Sequence, residues 1–135
     1  MVVGVPREEA AGERRVALIP AHIGVLAKAG IDVIVQRGAG YSSGYTDEAY
    51  QEKGGTLVDD REAVYQRSDV VLRVRAGKAD EGGFDEAAIL REGQTVIGTF
   101  DPYGAEAAFQ PYLETKVQTF SMELIPRITR AQSMD

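Results

Sequence analysis

The sequence predicts an α/β domain built on an open, doubly wound, mainly parallel sheet of the Rossmann-like or flavodoxin-like kind. Three observations point there. Short apolar runs rich in valine and isoleucine alternate with stretches whose apolar residues recur at helical spacing. Glycine or proline punctuates most of the junctions between them. The chain has 135 residues, enough for one such core but not for two.

The first strand is Val2 to Val5, closed by Pro6. Pro20 suits the first position of a helix, where its missing N–H costs nothing. Ile19, Ile23, Leu26 and Ala27 then share one face, and Gly30 supplies the stop. Val33 to Val35 form a second strand, followed by the glycine-rich loop Gly38 to Gly44. Thr46 caps a short helix through Lys53, which Gly54 and Gly55 end. Leu57 and Val58 make a brief extended piece, and Asp60 to Gln66 a helix. Asp69 to Val74 and Thr95 to Phe100 are strands, with a helix from Phe84 to Arg91 between them. A last helix, Ala105 to Leu113, is kinked or shortened by Pro111, and Val117 to Met122 is the final strand. About five strands joined by right-handed crossovers would complete the sheet.

Composition excludes several function classes. A net charge of −6 disfavours a nucleic-acid partner, and the cluster Arg73, Arg75 and Lys78 is too small to override it. Cysteine is absent, which removes disulfides, thiolate metal sites and thiol nucleophiles. The start MVVGVPREE lacks the basic and apolar regions of a secretion signal, and no apolar run approaches a membrane span. The single histidine, His22, reads as a solvated or capping residue rather than a base. No metal site is expected.

Two segments in the amino-terminal third are candidates for chemistry. The loop Gly38-Ala-Gly40-Tyr-Ser-Ser-Gly44 follows a strand and precedes a helix, as a phosphate-cradling loop does. Its spacing is G-x-G-x-x-x-G, however, and the helix after it is short and polar, so a structural turn is the better reading. The second segment is Pro6-Arg7-Glu8 with Glu13-Arg-Arg15-Val-Ala-Leu-Ile-Pro20. By itself it is a charged loop between a strand and a helix.

That segment resembles the amino-terminal signature shared by alanine dehydrogenases and transhydrogenase alpha subunits, a strand ending P-x-E and a loop ending E-x-R-V-A-x-x-P. In alanine dehydrogenases the arginine at Arg15 would grip the substrate carboxylate through its planar fork. Two departures weigh against that branch. Leu72-Arg73-Val74-Arg75-Ala76-Gly77 puts Arg75 where the alanine dehydrogenase pattern has a substrate-contacting lysine. Thr99-Phe100-Asp101-Pro102-Tyr103 lacks the histidine that would accept a proton during amine oxidation. By contrast, Glu123-Leu-Ile-Pro-Arg127-Ile-Thr-Arg-Ala-Gln132-Ser-Met-Asp135 resembles the P-R-I-[ST]-R-A-Q-x-[ML]-D loop of the transhydrogenase alpha subunits. The resemblance spans the chain and is weakest between residues 75 and 115.

The resemblance implies the NAD(H)-binding component of a proton-translocating NAD(P) transhydrogenase, an oxidoreductase passing hydride from NADH to NADP⁺. It implies that Arg127, Gln132 and Asp135 serve as both catalytic and cofactor-binding residues at the nicotinamide end of NAD(H). An arginine and a carboxylate there can orient carboxamide and ribose, and a glutamine can donate and accept at once. The alternative is that Arg127 and Asp135 form a salt bridge that only stabilises a loop. Residues 1–135 would then be the incomplete first lobe of a two-lobed dehydrogenase, without the NAD-binding Rossmann domain and inactive alone. Expected partners are that domain, the NADP-binding component, the membrane domain and a second copy of the full protein. The location implied is cytoplasmic, peripheral at the inner face of the membrane. Some apolar surface would be left uncovered, favouring self-association. Two other readings stay open: the substrate lobe of an alanine-dehydrogenase-like enzyme, with Arg15 and Arg75 holding a carboxylate, or a non-catalytic binding or dimerisation module.

Overall fold

The computed structural model describes residues 1–76, 85–100 and 106–126, with side chains in the last stretch from residue 109 onward. Its strands are β1 (Val2–Val5), β2 (Asp32–Gln36), β3 (Thr56–Val58), β4 (Val70–Arg75), β5 (Thr95–Thr99) and β6 (Gln118–Ser121). The helices are α1 (Ile23–Lys28), α2 (Asp47–Glu52), α3 (Arg61–Arg67), α4 (Glu86–Ile89) and α5 (Glu106–Glu114). One sheet of six strands runs in the order β3-β2-β1-β4-β5-β6, and every recorded pairing is parallel. The strand order reverses between β1 and β4, the place where open α/β sheets form a ligand crevice.

Side-chain alternation along β2 shows how both faces are covered. Val33 and Val35 pack with Ile23 of α1 and Tyr50 of α2, whereas Ile34 packs with Val64 of α3. On β4 the same alternation sends Val71 toward Tyr65 of α3, Ala87 of α4 and Tyr112 of α5, and Leu72 toward the α1 and α2 side. Helices α1 and α2 therefore cover one face, and α3, α4 and α5 the other. The sheet is doubly wound, as the sequence pattern implies.

Several expectations need correction. There are six strands rather than about five, because the Leu57–Val58 piece pairs in register with β2 as a true edge strand. Helix α5 runs through Pro111 to Glu114, so the proline does not shorten it. Proline sacrifices one backbone bond, but Tyr112 and Phe109 on either side pack against Phe100, so burial holds the helix together. The helix expected over Phe84 to Arg91 is the single turn α4, opened by the Asp85 side chain accepting from the Ala87 N–H; Phe84 lies outside the described residues. Pro20 opens a 3-10 turn, Pro20–His22, before α1 proper. Ala27 is exposed, not on the apolar face, because α1 has only six residues and buries Ile23. Leu113, Phe120, Met122 and Leu124 are exposed along the β6 side of the sheet.

Candidate functional site

In an all-parallel sheet every strand delivers its carboxyl end to the same edge. The segments after β1, β2, β4, β5 and β6 therefore gather along one rim. The loop leaving β1 brings Arg7, Glu8, Glu13, Arg14 and Arg15 to it, and the end of β4 brings Arg73 and Arg75. Of these, Glu8, Glu13, Arg15, Arg73 and Arg75 meet at the β1/β4 reversal.

Two arginine–glutamate clusters form there. In the deeper one, the Arg73 guanidinium donates to Glu8, to Glu86 of α4 (2.6 Å), to the Tyr65 hydroxyl (2.9 Å) and to the Arg75 carbonyl (3.0 Å). Glu8 also accepts from the Val74 N–H, and Glu86 accepts from the hydroxyls of Tyr65 and Tyr112. The side chains of Arg73, Glu8 and Glu86 are 4%, 3% and 3% exposed, so this cluster is closed to solvent. Burial by itself would lower the Arg73 pKa, but Tyr65, Glu86 and Glu8 outweigh it and raise the value. Tyr65 is pushed well up, first by burial and then by the Glu86 carboxylate, so it stays protonated.

The outer cluster is built on Glu13. Its carboxylate takes a bidentate fork from Arg15, at 2.9 and 2.7 Å, and a further bond from Arg75 Nε at 3.0 Å. The two guanidiniums remain 68% and 53% exposed while covering a carboxylate that is only 3% exposed. Hydrogen bonding from Arg15 dominates the Glu13 pKa, and with the charges of Arg15 and Arg75 lowers it to about 2 against the cost of burial. Arg15 and Arg75, the candidate carboxylate-gripping pair, are therefore brought together, and a carboxylate of the chain itself lies between them.

The other candidates divide. Arg127, Gln132 and Asp135 lie outside the described residues, as does the 101–103 stretch where the alanine dehydrogenase pattern has its histidine. The root of the Arg127 segment is described: Glu123 accepts from the Phe100 N–H at the end of β5 (3.1 Å) and from Ser121 (2.7 Å). Glu123 therefore ties the turn after β6 to the end of β5, on the same rim as Arg15 and Arg75.

The glycine-rich loop forms a tight turn with a 3-10 segment, Tyr41–Ser43. A Cβ on Gly40 would lie 2.7 Å from the Tyr50 ring and 2.9 Å from Tyr45. The loop is filled by the protein's own side chains and has no room for a pyrophosphate over Gly40. His22 is exposed and makes no side-chain cap bond. No group of three or more potential metal ligands occurs among the described residues, nor does any helix long and apolar enough to cross a membrane.

Sequence reasoning missed the buried cluster. Arg73 counted only as one of a few basic residues, and Glu8 only as a motif position. One signal was available: Arg73 sits within the apolar run Val70 to Val74, where an unpaired charge would be prohibitively costly.

The family model described as "Alanine dehydrogenase/PNT, N-terminal domain" matches residues 4–135. The chain belongs to this family. Among its relatives is the first portion of the NAD(P) transhydrogenase alpha subunit of Rhodospirillum rubrum, 34% identical over the whole chain and 35% of the relative's length. The solved transhydrogenase of Sinorhizobium meliloti is 38% identical with a TM-score of 0.89, matching all of this chain and 39% of its own. The alanine dehydrogenase of Mycobacterium tuberculosis is 30% identical, over 93% of this chain and 32% of that protein. This family member thus spans about a third of the length of these relatives. Proteins named for both branches therefore contain a region similar to this lobe.

Proposed function

We propose that this family member is the first lobe of the NAD(H)-binding component of an NAD(P) transhydrogenase, an enzyme that moves hydride from NADH to NADP⁺ in step with proton translocation. The observation that carries the reading is full-chain similarity, at 34% and 38% identity, to proteins named as transhydrogenases. The Arg127–Asp135 motif supports it.

When bound, the nicotinamide supplies the hydride. The glycine loop offers no dinucleotide cradle over Gly40, where Tyr45 and Tyr50 fill the space. The lobe's contribution is one wall of a cleft: Arg127 and Asp135 orient the ring's carboxamide and ribose, and Gln132 bridges toward the second nucleotide. A following Rossmann domain holds most of NAD(H), and residues 1–135 alone turn nothing over. Partners are that domain, an NADP-binding component, a membrane component and a second copy of the whole subunit. The protein then works on the cytoplasmic side, attached through those partners.

In the complete enzyme, Arg127→Ala should slow NADH-to-NADP⁺ transfer about tenfold or more while leaving NADH affinity nearly unchanged. An unaltered rate would remove the assignment. One observation favours a second reading: Arg15 and Arg75 converge on a single carboxylate, as an amino-acid substrate would require. Formation of NADH from NAD⁺ on adding L-alanine would select that branch.

A further inference from the structure

Beside the Glu13 cluster lies an open cleft of about 140 Å³ between the loops that leave β1 and β2. It is open to solvent and large enough to seat a phosphoryl group. Arg7, Arg14, Arg15, Tyr41 and Ser42 line it, together with Glu8 and Glu13. The two carboxylates are already engaged, Glu8 by Arg73 and the Val74 N–H, and Glu13 by Arg15 and Arg75. Among the described residues, Arg7 and Arg14 have no acidic partner. Two cations without an acidic partner among the described residues therefore border one cleft in a chain whose net charge is −6.

The cleft is also held in shape. The Arg7 N–H donates to the buried Gln36 side chain (2.9 Å), the Gly38 N–H to buried Asp47 (2.8 Å), and Ser43 Oγ to the Arg14 carbonyl (2.6 Å). Gly38 adopts φ +80°, and a Cβ there would approach the Tyr41 ring to 3.3 Å and Arg7 Cδ to 3.8 Å. The bare backbone at Gly38 keeps the cleft open between those two side chains.

We propose that this cleft is a phosphoryl-binding site, with Arg7 and Arg14 as its charge-neutralising residues. Two unneutralised guanidiniums match the two negative charges of a phosphate, whereas a carboxylate would leave one unmatched. The guanidinium fork suits tetrahedral phosphoryl oxygens, and the Tyr41 and Ser42 hydroxyls supply uncharged donors. The site does not depend on the transhydrogenase reading, because none of these residues belongs to the Arg127 segment.

The test is an NMR titration of the chain with inorganic diphosphate at constant ionic strength, following the amides of Gly38, Ala39, Tyr41 and Ser42. Saturable shifts confined to these amides are expected, and the Arg7→Ala/Arg14→Ala double variant should bind about tenfold or more weakly. Arg67→Ala removes an exposed cation far from the cleft and should bind as the parent does. Absence of saturation overturns the site, as does equal weakening by Arg67→Ala or undiminished binding by the double variant. Acetate binding as tightly as diphosphate would overturn the phosphoryl assignment. Amide spectra of each variant establish that it is folded before it is titrated.

Discussion

Arg73 and Arg75 stand two residues apart on one strand, each pairs with glutamate, and they could hardly differ more. Arg73 is enclosed by Glu8, Glu86 and Tyr65, and all its N–H groups are used within the fold. Arg75 shares Glu13 with Arg15, and both guanidiniums face solvent. Burial decides the difference. An enclosed ion pair is costly to break because each partner left behind is a charge without water, whereas an exposed pair can exchange its partner for water or a ligand at little cost. The inner cluster therefore fixes the rim, joining the β1 loop to α3, α4 and α5, and the outer cluster is the part of the rim that faces solvent.

The comparison is broken most directly at Arg73. Arg73→Met should strand two buried carboxylates and destabilise the fold by about 3–5 kcal/mol in urea unfolding. A loss below about 1 kcal/mol would mean the inner cluster is as replaceable as the outer one. Tyr112→Phe removes one hydroxyl from Glu86 and should cost about 1–3 kcal/mol by the same measurement, since other donors to that carboxylate remain. Gly40→Ala sharpens the separate distinction between packed and open regions of the rim. Its methyl group meets the Tyr50 ring, so a loss of about 1–3 kcal/mol is expected in a thermal melt. A neutral result would show that the glycine turn has space after all.

At the outer cluster the effects shrink. Arg75→Ala should change stability by less than about 1 kcal/mol, because the pair is exposed and Arg15 still holds Glu13. The pH dependence follows from the lowered Glu13 pKa. Whatever Glu13 contributes to stability is complete above its ordinary value of 4.5, and is lost as pH falls through about 2. Carboxyl-carbon NMR should place its midpoint near 2, and in Arg15→Ala the midpoint should move back toward 4.5. A midpoint already near 4.5 in the parent would show that the outer pair does not form in solution.

The elements were legible where local chemistry decides them. Short runs rich in apolar and β-branched residues mark five of the strands, Thr46 caps α2 as its side chain predicts, and Gly30 and Gly54 adopt the positive φ that helix stops use. What local reasoning could not see was set by tertiary packing. Leu57 and Val58 become a strand only because β2 lies beside them, and Pro111 is carried through α5 by its aromatic neighbours. The candidate site was half legible. Arg15 and Arg75 were named from motif position, and they do meet at Glu13. The Glu8–Arg73–Glu86 cluster was not, because its members are 65 and 13 residues apart and only the fold brings them together. The role of Arg127, Gln132 and Asp135 rests on resemblance.

The functional proposal is tested most directly by following a labelled hydrogen. Incubated with NADH deuterated at the transferred position and with NADP⁺, the complete enzyme should yield NADPH carrying that deuterium, with none lost to water. Deuterium appearing in solvent instead, or NADP⁺ left unreduced alongside L-alanine-dependent reduction of NAD⁺, would contradict it.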